Sequence, residues 1–475
     1  MRTPLLLVLS LASSTALAQA SGPGPTSPPT AGAPTGSASS SSLAMPAPPQ
    51  VNDTMLAPVP RPPRIVSTWP EVLSYLRSRS TDLKIALDQV LKAEAQTRQA
   101  LAAYLPSING EGRYVHNFIS NTVAPGPMVA GGTQSPQIPL PNAETGKIVL
   151  QQAIINTQTF DQIGIGKLGE DAARWSVEDQ RRTLALSVSN QLVAVVTAER
   201  SAEINRVGLR VALEQLDIAT RKQALGAANG LDVVRARQNA ANARATLVTG
   251  DESLHEAREA LGLALGVPEE TGVAPDLNID GMANAAMATC HPVTSVDERA
   301  DIAAARTNLE VAKRNLRNVY FQFLPVVGAE SDLQGTSNPQ TGYPNPTWNI
   351  QAILQVPIWD GGNRYGLLRV ARALEDIAAQ QLEALRRQAI IQVEQAQRQL
   401  IVAQEADKVA REQRDLAREN DRLTQTAYSV GQGTSLELVT ASEAHRQAEL
   451  NLALQDFGVV KARILAILAL ATCSW

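Results

Sequence analysis

The sequence predicts a mainly α chain with a membrane β-barrel portion, built as two copies of one strand, strand, long-helix-hairpin plan. Three observations predict it. A turn that reverses one helix into the next occurs twice, at residues 428–441 (YSVGQGTSLELVTA) and 224–236 (ALGAANGLDVVRA). The apolar period switches from three or four to two in four separate stretches. The 475 residues are rich in Ala and only 4% aromatic, which suits long, closely packed helices better than a thick globular core. The net charge of -4 speaks against a nucleic-acid partner.

Both turns follow one design. Gly226 and Gly431 suit a helix C-cap in the left-handed conformation, which costs glycine almost nothing. Asn229 in one copy and Ser435 in the other are expected to accept hydrogen bonds from the free N–H groups of the next helix. Asp232 and Glu437 fall in the first turn, where the helix dipole favours negative charge. Each turn is therefore expected to join two antiparallel helices.

The chain opens with the pattern of a secretory signal at 1–20: Arg2, an apolar run over 5–11, and small residues at Ala16, Ala18 and Ala20. That run is too short to span a bilayer, and no Cys follows the cleavage site to carry a lipid. Residues 21–64 are Pro, Ser, Gly and Ala with almost no charge, and read as a disordered linker. A first repeat is expected over 65–270. It begins at Thr68, Pro70 and Glu71, a capping box with Pro in the first turn. A helical pattern runs through Leu83, Val90, Ala93 and Leu101 and stops at Leu105 and Pro106. Then Ile108, Gly110, Gly112, Tyr114, His116 and Phe118 share one face. Ser107, Asn109, Glu111, Arg113 and Asn117 share the other. This is about the ~9–11 residues a strand needs to cross a bilayer. After a Pro- and Gly-rich loop, a second strand is expected at 147–155 and a very long helix at 161–222. A shorter helix follows, ending at Leu265 and Gly266, where Pro268 confirms the stop.

A linker over 271–294 separates this from a second repeat over 295–475. Leu105-Pro106 recurs as Leu324-Pro325, a shift of 219; Leu150-Gln151 recurs as Leu354-Gln355, a shift of 204. The copies therefore differ mainly in the loop between their strands, and length variation belongs in an exposed loop. In the third strand Val327, Ala329, Ser331 and Leu333 oppose Gly328, Glu330, Asp332 and Gln334. In the fourth Trp348, Ile350, Ala352 and Leu354 oppose Asn349, Gln351, Ile353 and Gln355. A second long helix at 363–426 has a seam of Leu385, Ala389, Val393, Ala396, Leu400 and Ala403 at coiled-coil spacing. A final helix is expected at 435–471. Exposed sheet edges are not tolerated in lipid, so four strands must join those of other chains. Two chains would give about 8 strands and three about 12; the polar faces favour a wet lumen and the larger number.

No catalytic constellation emerges. Residues 164–169 (GIGKLG) fit a dinucleotide fingerprint, but about sixty helical residues follow without the second parallel strand that fold needs. These glycines are expected to let the chain bend from barrel to helix. His116, His255, His291 and His445 have no partners at ligand spacing, and neither HExxH nor GxSxG occurs. No enzyme activity, cofactor or metal is expected. Cys290 and Cys473 are the only cysteines; in an oxidising compartment they can pair, or stand as two thiols.

The two Leu-Pro strand entries, the run Val356, Pro357, Ile358, Trp359, Asp360, Gly361, Gly362 into the long helix, and the 428–441 turn occur in the order that marks one family. Over residues 65–472 the chain resembles the TolC family of outer-membrane efflux proteins. The resemblance implies a homotrimer, a 12-stranded outer-membrane barrel, and a long periplasmic coiled-coil tunnel of helices. It implies a periplasmic adaptor protein and an inner-membrane transporter as partners. It places Gly226, Leu231, Gly431, Ser435 and Leu436 at or near adaptor contacts, and Asp232, Tyr428 and Glu437 near the periplasmic constriction. Gly433 stands where some members carry Arg, and Thr440 where some carry a second acid, which implies a weaker lock and a single acidic ring. Against the gate role stands a plainer one, in which Asp232 and Glu437 only stabilise helix N-termini. Against the drug-efflux duct stand the duct of a type I protein secretion system and a periplasmic structural coiled coil that never enters a membrane.

Overall fold

The computed structural model describes residues 51–116, 118, 142–275, 281, 284, 288–337 and 345–475. The expected signal peptide, residues 21–50 of the expected linker and most of both strand loops lie outside them.

Order starts earlier than the composition suggests. The last part of the expected 21–64 linker lies on the helices instead of hanging free. Asp53 caps a short 3-10 turn and pairs with Arg244 at 2.9 Å. Val51, Met55 and Leu56 pack on buried leucines. Those three apolar side chains, spaced among prolines, are what a composition average hides. A short strand, β1 (Arg64–Val66), then pairs in parallel with a later one.

Helix α1 (Trp69–Arg79) starts at Thr68, whose hydroxyl accepts the Glu71 N–H, while the Glu71 carboxylate accepts the Ser67 N–H at 3.0 Å. Ser80 ends α1 and caps α2 (Thr81–Ala102), breaking what reads in sequence as one helical pattern. Strands β2 (Ser107–His116) and β3 (Asn142–Ile155) follow, then α3 (Thr157–Ala224) of 68 residues and α4 (Gly230–Ala264). At ~1.5 Å per residue α3 is on the order of 100 Å long. Strands β4 (Thr271–Val273) and β5 (Cys290–Pro292) occupy the ends of the expected 271–294 linker, and β1 pairs with β4. The second repeat runs α5 (Ala300–Phe321), β6 (Val326–Thr336), β7 (Asn345–Gln355), α6 (Asn363–Ser429) and α7 (Ser435–Leu468). The last helix stops before the expected residue 471, because β8 (Ala471–Cys473) pairs with β5 and a Cys290–Cys473 disulfide joins them.

The largest buried cluster lies where α1, the middle of α3 and the ends of α4 and α7 meet. It contains Trp69, Leu76, Leu192, Leu261, Ile464 and Leu468. Toward the turns the buried clusters between α3 and α4 narrow to Leu209, Leu213, Ala240 and Leu247, then Ala219, Val233 and Ala236, and Leu438 and Ala441 of α7 are buried there as well. In α6 the expected seam is present. Ala389 and Ala396 are buried, and most positions between them are exposed. The expected role of the 164–169 glycines is corrected. They lie inside α3, and a Cβ on Gly166 would stand 3.0 Å from the Thr97 backbone. Gly164 and Gly166 let α3 approach Arg314 and Thr97, while a Cβ on Gly169 would meet nothing within 4 Å; the chain bend comes before them, at Asn156, which caps α3.

Candidate functional site

The four long strands form one antiparallel sheet in the order β2, β3, β6, β7, leaving β2 and β7 as edges. The register aligns the two faces across all four strands. Ile108, Leu150, Ser331 and Ile350 fall in one row, and Gly110, Ile148, Leu333 and Trp348 in the next. On the opposite face Ser107, Gln151, Glu330 and Gln351 align, as do Glu111, Lys147, Gln334 and Thr347. The polar side chains satisfy one another. Glu330 accepts from Gln151 at 3.1 Å and from Gln351 at 3.2 Å, and Lys147 pairs with Asp332 at 2.8 Å. The apolar rows are open to the surroundings, with Trp348 and Ile350 each 71% exposed. One face is thus built for hydrocarbon and the other for water.

Below the sheet, Asp360 sets the entry to α6. Its carboxylate accepts the Gly362 and Arg364 N–H groups, and Gly361 and Gly362 take φ of 70° and 88°. Only glycine adopts that pair cheaply. Ile358 and Trp359, nearly bare, flank this entry at the strand end, where an aromatic suits the membrane interface.

The two predicted turns stand side by side at the far end. Gly226 (φ 70°) and Gly431 (φ 78°) close α3 and α6. Asn229 caps α4 as expected, in a full capping box with Asp232: its side chain accepts the Asp232 N–H at 3.0 Å. In the second turn Ser435 is not the cap. Thr434 is, in a reciprocal box with Glu437. Ser435 is displaced one place into the helix, and its hydroxyl donates to Asp232 of the first turn. Lys222, at the end of α3, donates to the Tyr428 carbonyl at 3.2 Å and lies 3.7 Å from the centre of the Tyr428 ring. Lys222 went unread in the sequence because a lysine in a helix's last turn is ordinary dipole chemistry.

The electrostatics follow from these contacts. The Thr434 backbone N–H, with its hydroxyl, holds the exposed Glu437 carboxyl below the usual glutamate range. Burial, and then the Asp232 charge, push the Tyr428 phenol up. Leu225, Val430, Leu231 and Leu436 are all half or more exposed at the tip. Asp232, Tyr428 and the adaptor-contact candidates Gly226, Leu231, Gly431, Ser435 and Leu436 therefore share one end of the molecule with Glu437. Gly433 has its own reason to be glycine: a Cβ there would sit 3.1 Å from the Tyr428 nitrogen.

Among the described residues, no group of three or more His, Cys, Asp or Glu could hold a metal ion, and no helix is long and apolar enough to cross a membrane. The sequence model of the family described as "Outer membrane efflux protein" matches residues 163–267 and 292–464. The "Probable efflux pump outer membrane protein TtgC" of Pseudomonas putida is 21% identical over 408 residues, covering 79% of this chain and 83% of that protein. The "Cation efflux system protein CusC" of Escherichia coli is 25% identical over 408 residues, covering 80% and 81%. The solved CmeC outer membrane channel of Campylobacter jejuni superposes with a TM-score of 0.73 at 16% identity, covering 84% of this chain and 85% of that one.

Proposed function

The chain belongs to the outer membrane efflux protein family, and from that premise we propose that three copies form the passive exit duct of a tripartite efflux pump. It is an outer-membrane channel protein and not an enzyme. A membrane-free structural rod is set aside with that membership. In the proposed assembly three four-stranded sheets close one barrel, and the four long helices of each chain line a periplasmic tunnel. The tip formed by the two turns meets a periplasmic adaptor, and through it an inner-membrane transporter. Small molecules pass along the polar lumen.

The observation that carries the proposal is the open sheet, apolar on one face and hydrogen-bonded polar on the other. Its edges β2 and β7 have no partner strand among the described residues. Unpaired backbone groups at membrane depth are too costly to persist, so further copies are the simplest closure. The exposed apolar residues of α6, among them Ile377, Ile391, Val402 and Leu416, are consistent with a helical neighbour from another copy. At the tip, Leu231 and Leu436 supply apolar contact for an adaptor, and three symmetry-related Glu437 carboxylates would ring the constriction and favour cations.

Single-channel recording in a planar bilayer tests this, wild type beside Glu437→Ala. Stable cation-preferring pores whose preference drops with the substitution are expected. Pores indifferent to Glu437 would leave it a capping residue only. Folded protein that reconstitutes in lipid without conducting would remove the duct.

A further inference from the structure

A cavity of about 310 Å³ lies between the two hairpins, with α3, α4, α6 and α7 all contributing to its lining. One wall is apolar. Ile204, Val207, Val211 and Ala212 of α3 fall three or four residues apart, so they share one helix face. Ile204 and Ala212 are buried, whereas Val207 is 43% exposed, so this wall is reached from solvent. The polar wall comes from the second hairpin. Asp421 of α6 lines it, with Ser442, His445 and Glu449 of α7.

The polar wall holds more acceptors than it has donors for. Asp421 is 7% exposed. Its carboxylate accepts from the Ser442 hydroxyl at 2.8 Å, the Gln425 amide at 3.0 Å and His445 Nδ1 at 3.1 Å. Among the described residues its only ion-pair partner is His445, which carries charge only when protonated. A carboxylate buried to this degree ordinarily faces a cation. With its Nδ1–H given to Asp421, the neutral His445 ring keeps a lone pair at Nε2. That nitrogen is buried and has no hydrogen-bond partner. Its neighbour at 3.6 Å is the Glu449 carboxylate, a second acceptor whose nearest arginine, Arg414, stands 3.9 Å off. The arginines of the lining are occupied or distant. Arg446 donates to both carboxylate oxygens of Glu443 and to Asn205. Arg200 stands about four turns, or ~22 Å, from Gln215 along α3. Ser442, which accepts from Gln215 and donates to Asp421, sets the carboxylate at the end away from Arg200.

We propose that this cavity is a binding site for a small organic cation, a protonated amine carried on an apolar body. The ammonium donates to the Asp421 carboxylate and to the bare His445 Nε2. The body lies along Ile204, Val207 and Val211. A charge-assisted hydrogen bond to a carboxylate away from water is stronger than one at the surface. An anion of the same shape meets Asp421 and Glu449 instead and is refused. The volume is at the lower end of the ligand-pocket range of about 300–1,000 Å³, which suits a fused two-ring amine. The site lies within one chain and does not depend on assembly into a duct.

The probes are 1-naphthylmethylamine and 1-naphthaleneacetate, which present the same two rings with opposite charge. Each is titrated by calorimetry into the full-length protein in mild detergent, as wild type, Asp421→Asn and Val211→Ser. Wild type is expected to bind the amine at one saturable site per chain and the acetate at least about ten-fold more weakly. Asp421→Asn keeps the side-chain shape and removes the charge. It is expected to weaken the amine about thirty-fold, the scale of a buried charge pair that loses one partner. Val211→Ser, on the apolar wall, should weaken it about three- to ten-fold. The amine should also raise the thermal midpoint of wild type but not of Asp421→Asn, because a ligand of the folded state stabilises only what it binds. Should Asp421→Asn not fold, the amine-over-acetate preference and Val211→Ser still decide. Folded wild type that takes up no amine overturns the site; an imidazolium at His445 supplying the charge itself gives that result. Equal affinity for amine and acetate, or an amine affinity unchanged in Asp421→Asn, overturns it as well.

Discussion

Glu437 is hydrogen-bonded to the start of its own helix and yet stays exposed at the tip. Because the Thr434 N–H favours its ionised form, its proton is held less tightly folded than unfolded. The sign follows: its contribution is complete above the unfolded pKa and fades only as pH falls through the lower folded value. Cation preference due to Glu437 is therefore expected to persist to lower pH in the wild type than in Thr434→Ala, which lacks the capping hydroxyl, as reversal potentials measured against pH will show. Gly431 makes a second residue-scale case. A Cβ there would meet nothing within 4 Å, so only its φ of 78° opposes a side chain. Gly431→Ala is expected to cost about 1–2 kcal/mol, read as a lowered unfolding midpoint with the pore itself retained.

At the scale of elements, the first hairpin depends on a narrow apolar seam. Leu247 is 1% exposed between α3 and α4, with Leu56 of the N-terminal segment packed on the same cluster. Leu247→Ala is expected to destabilise by about 2–5 kcal/mol, measured by denaturant titration. Much of this architecture was legible in the chain. The Leu-Pro strand entries, the period-two runs and the α6 seam each follow from one local rule, and the residues obey it. What was not legible depended on distant partners. Thr434 and Ser435 are both good caps, and only the turn geometry decides that Thr434 takes the role and frees Ser435 to reach Asp232. Gly208 and Gly250 look like weak points in helices until Arg446 and Asn205 are placed beside them. Residues 51–63 have a linker's composition, and what orders them is a groove formed by residues some 150 to 200 positions later.

For the whole molecule, two closures matter, one covalent and one between chains. The Cys290–Cys473 disulfide spans 183 residues and fixes β8 against β5 beside the main core. Its reduction is expected to lower stability by about 2–4 kcal/mol, seen as an earlier thermal transition in reductant, without loss of the strands' own register. The second closure sets the stoichiometry. Among the described residues one chain presents a sheet of four strands with two free edges. It also presents a polar face whose side chains, Glu330, Lys147 and Asp332 among them, are paired with each other. Two chains would close about eight strands, a barrel whose interior is just filled by side chains; about twelve leave an aqueous passage. Sedimentation equilibrium in mild detergent should therefore return the mass of three chains. A mass of two would place these paired polar groups in a plugged interior and remove the passage that a duct requires.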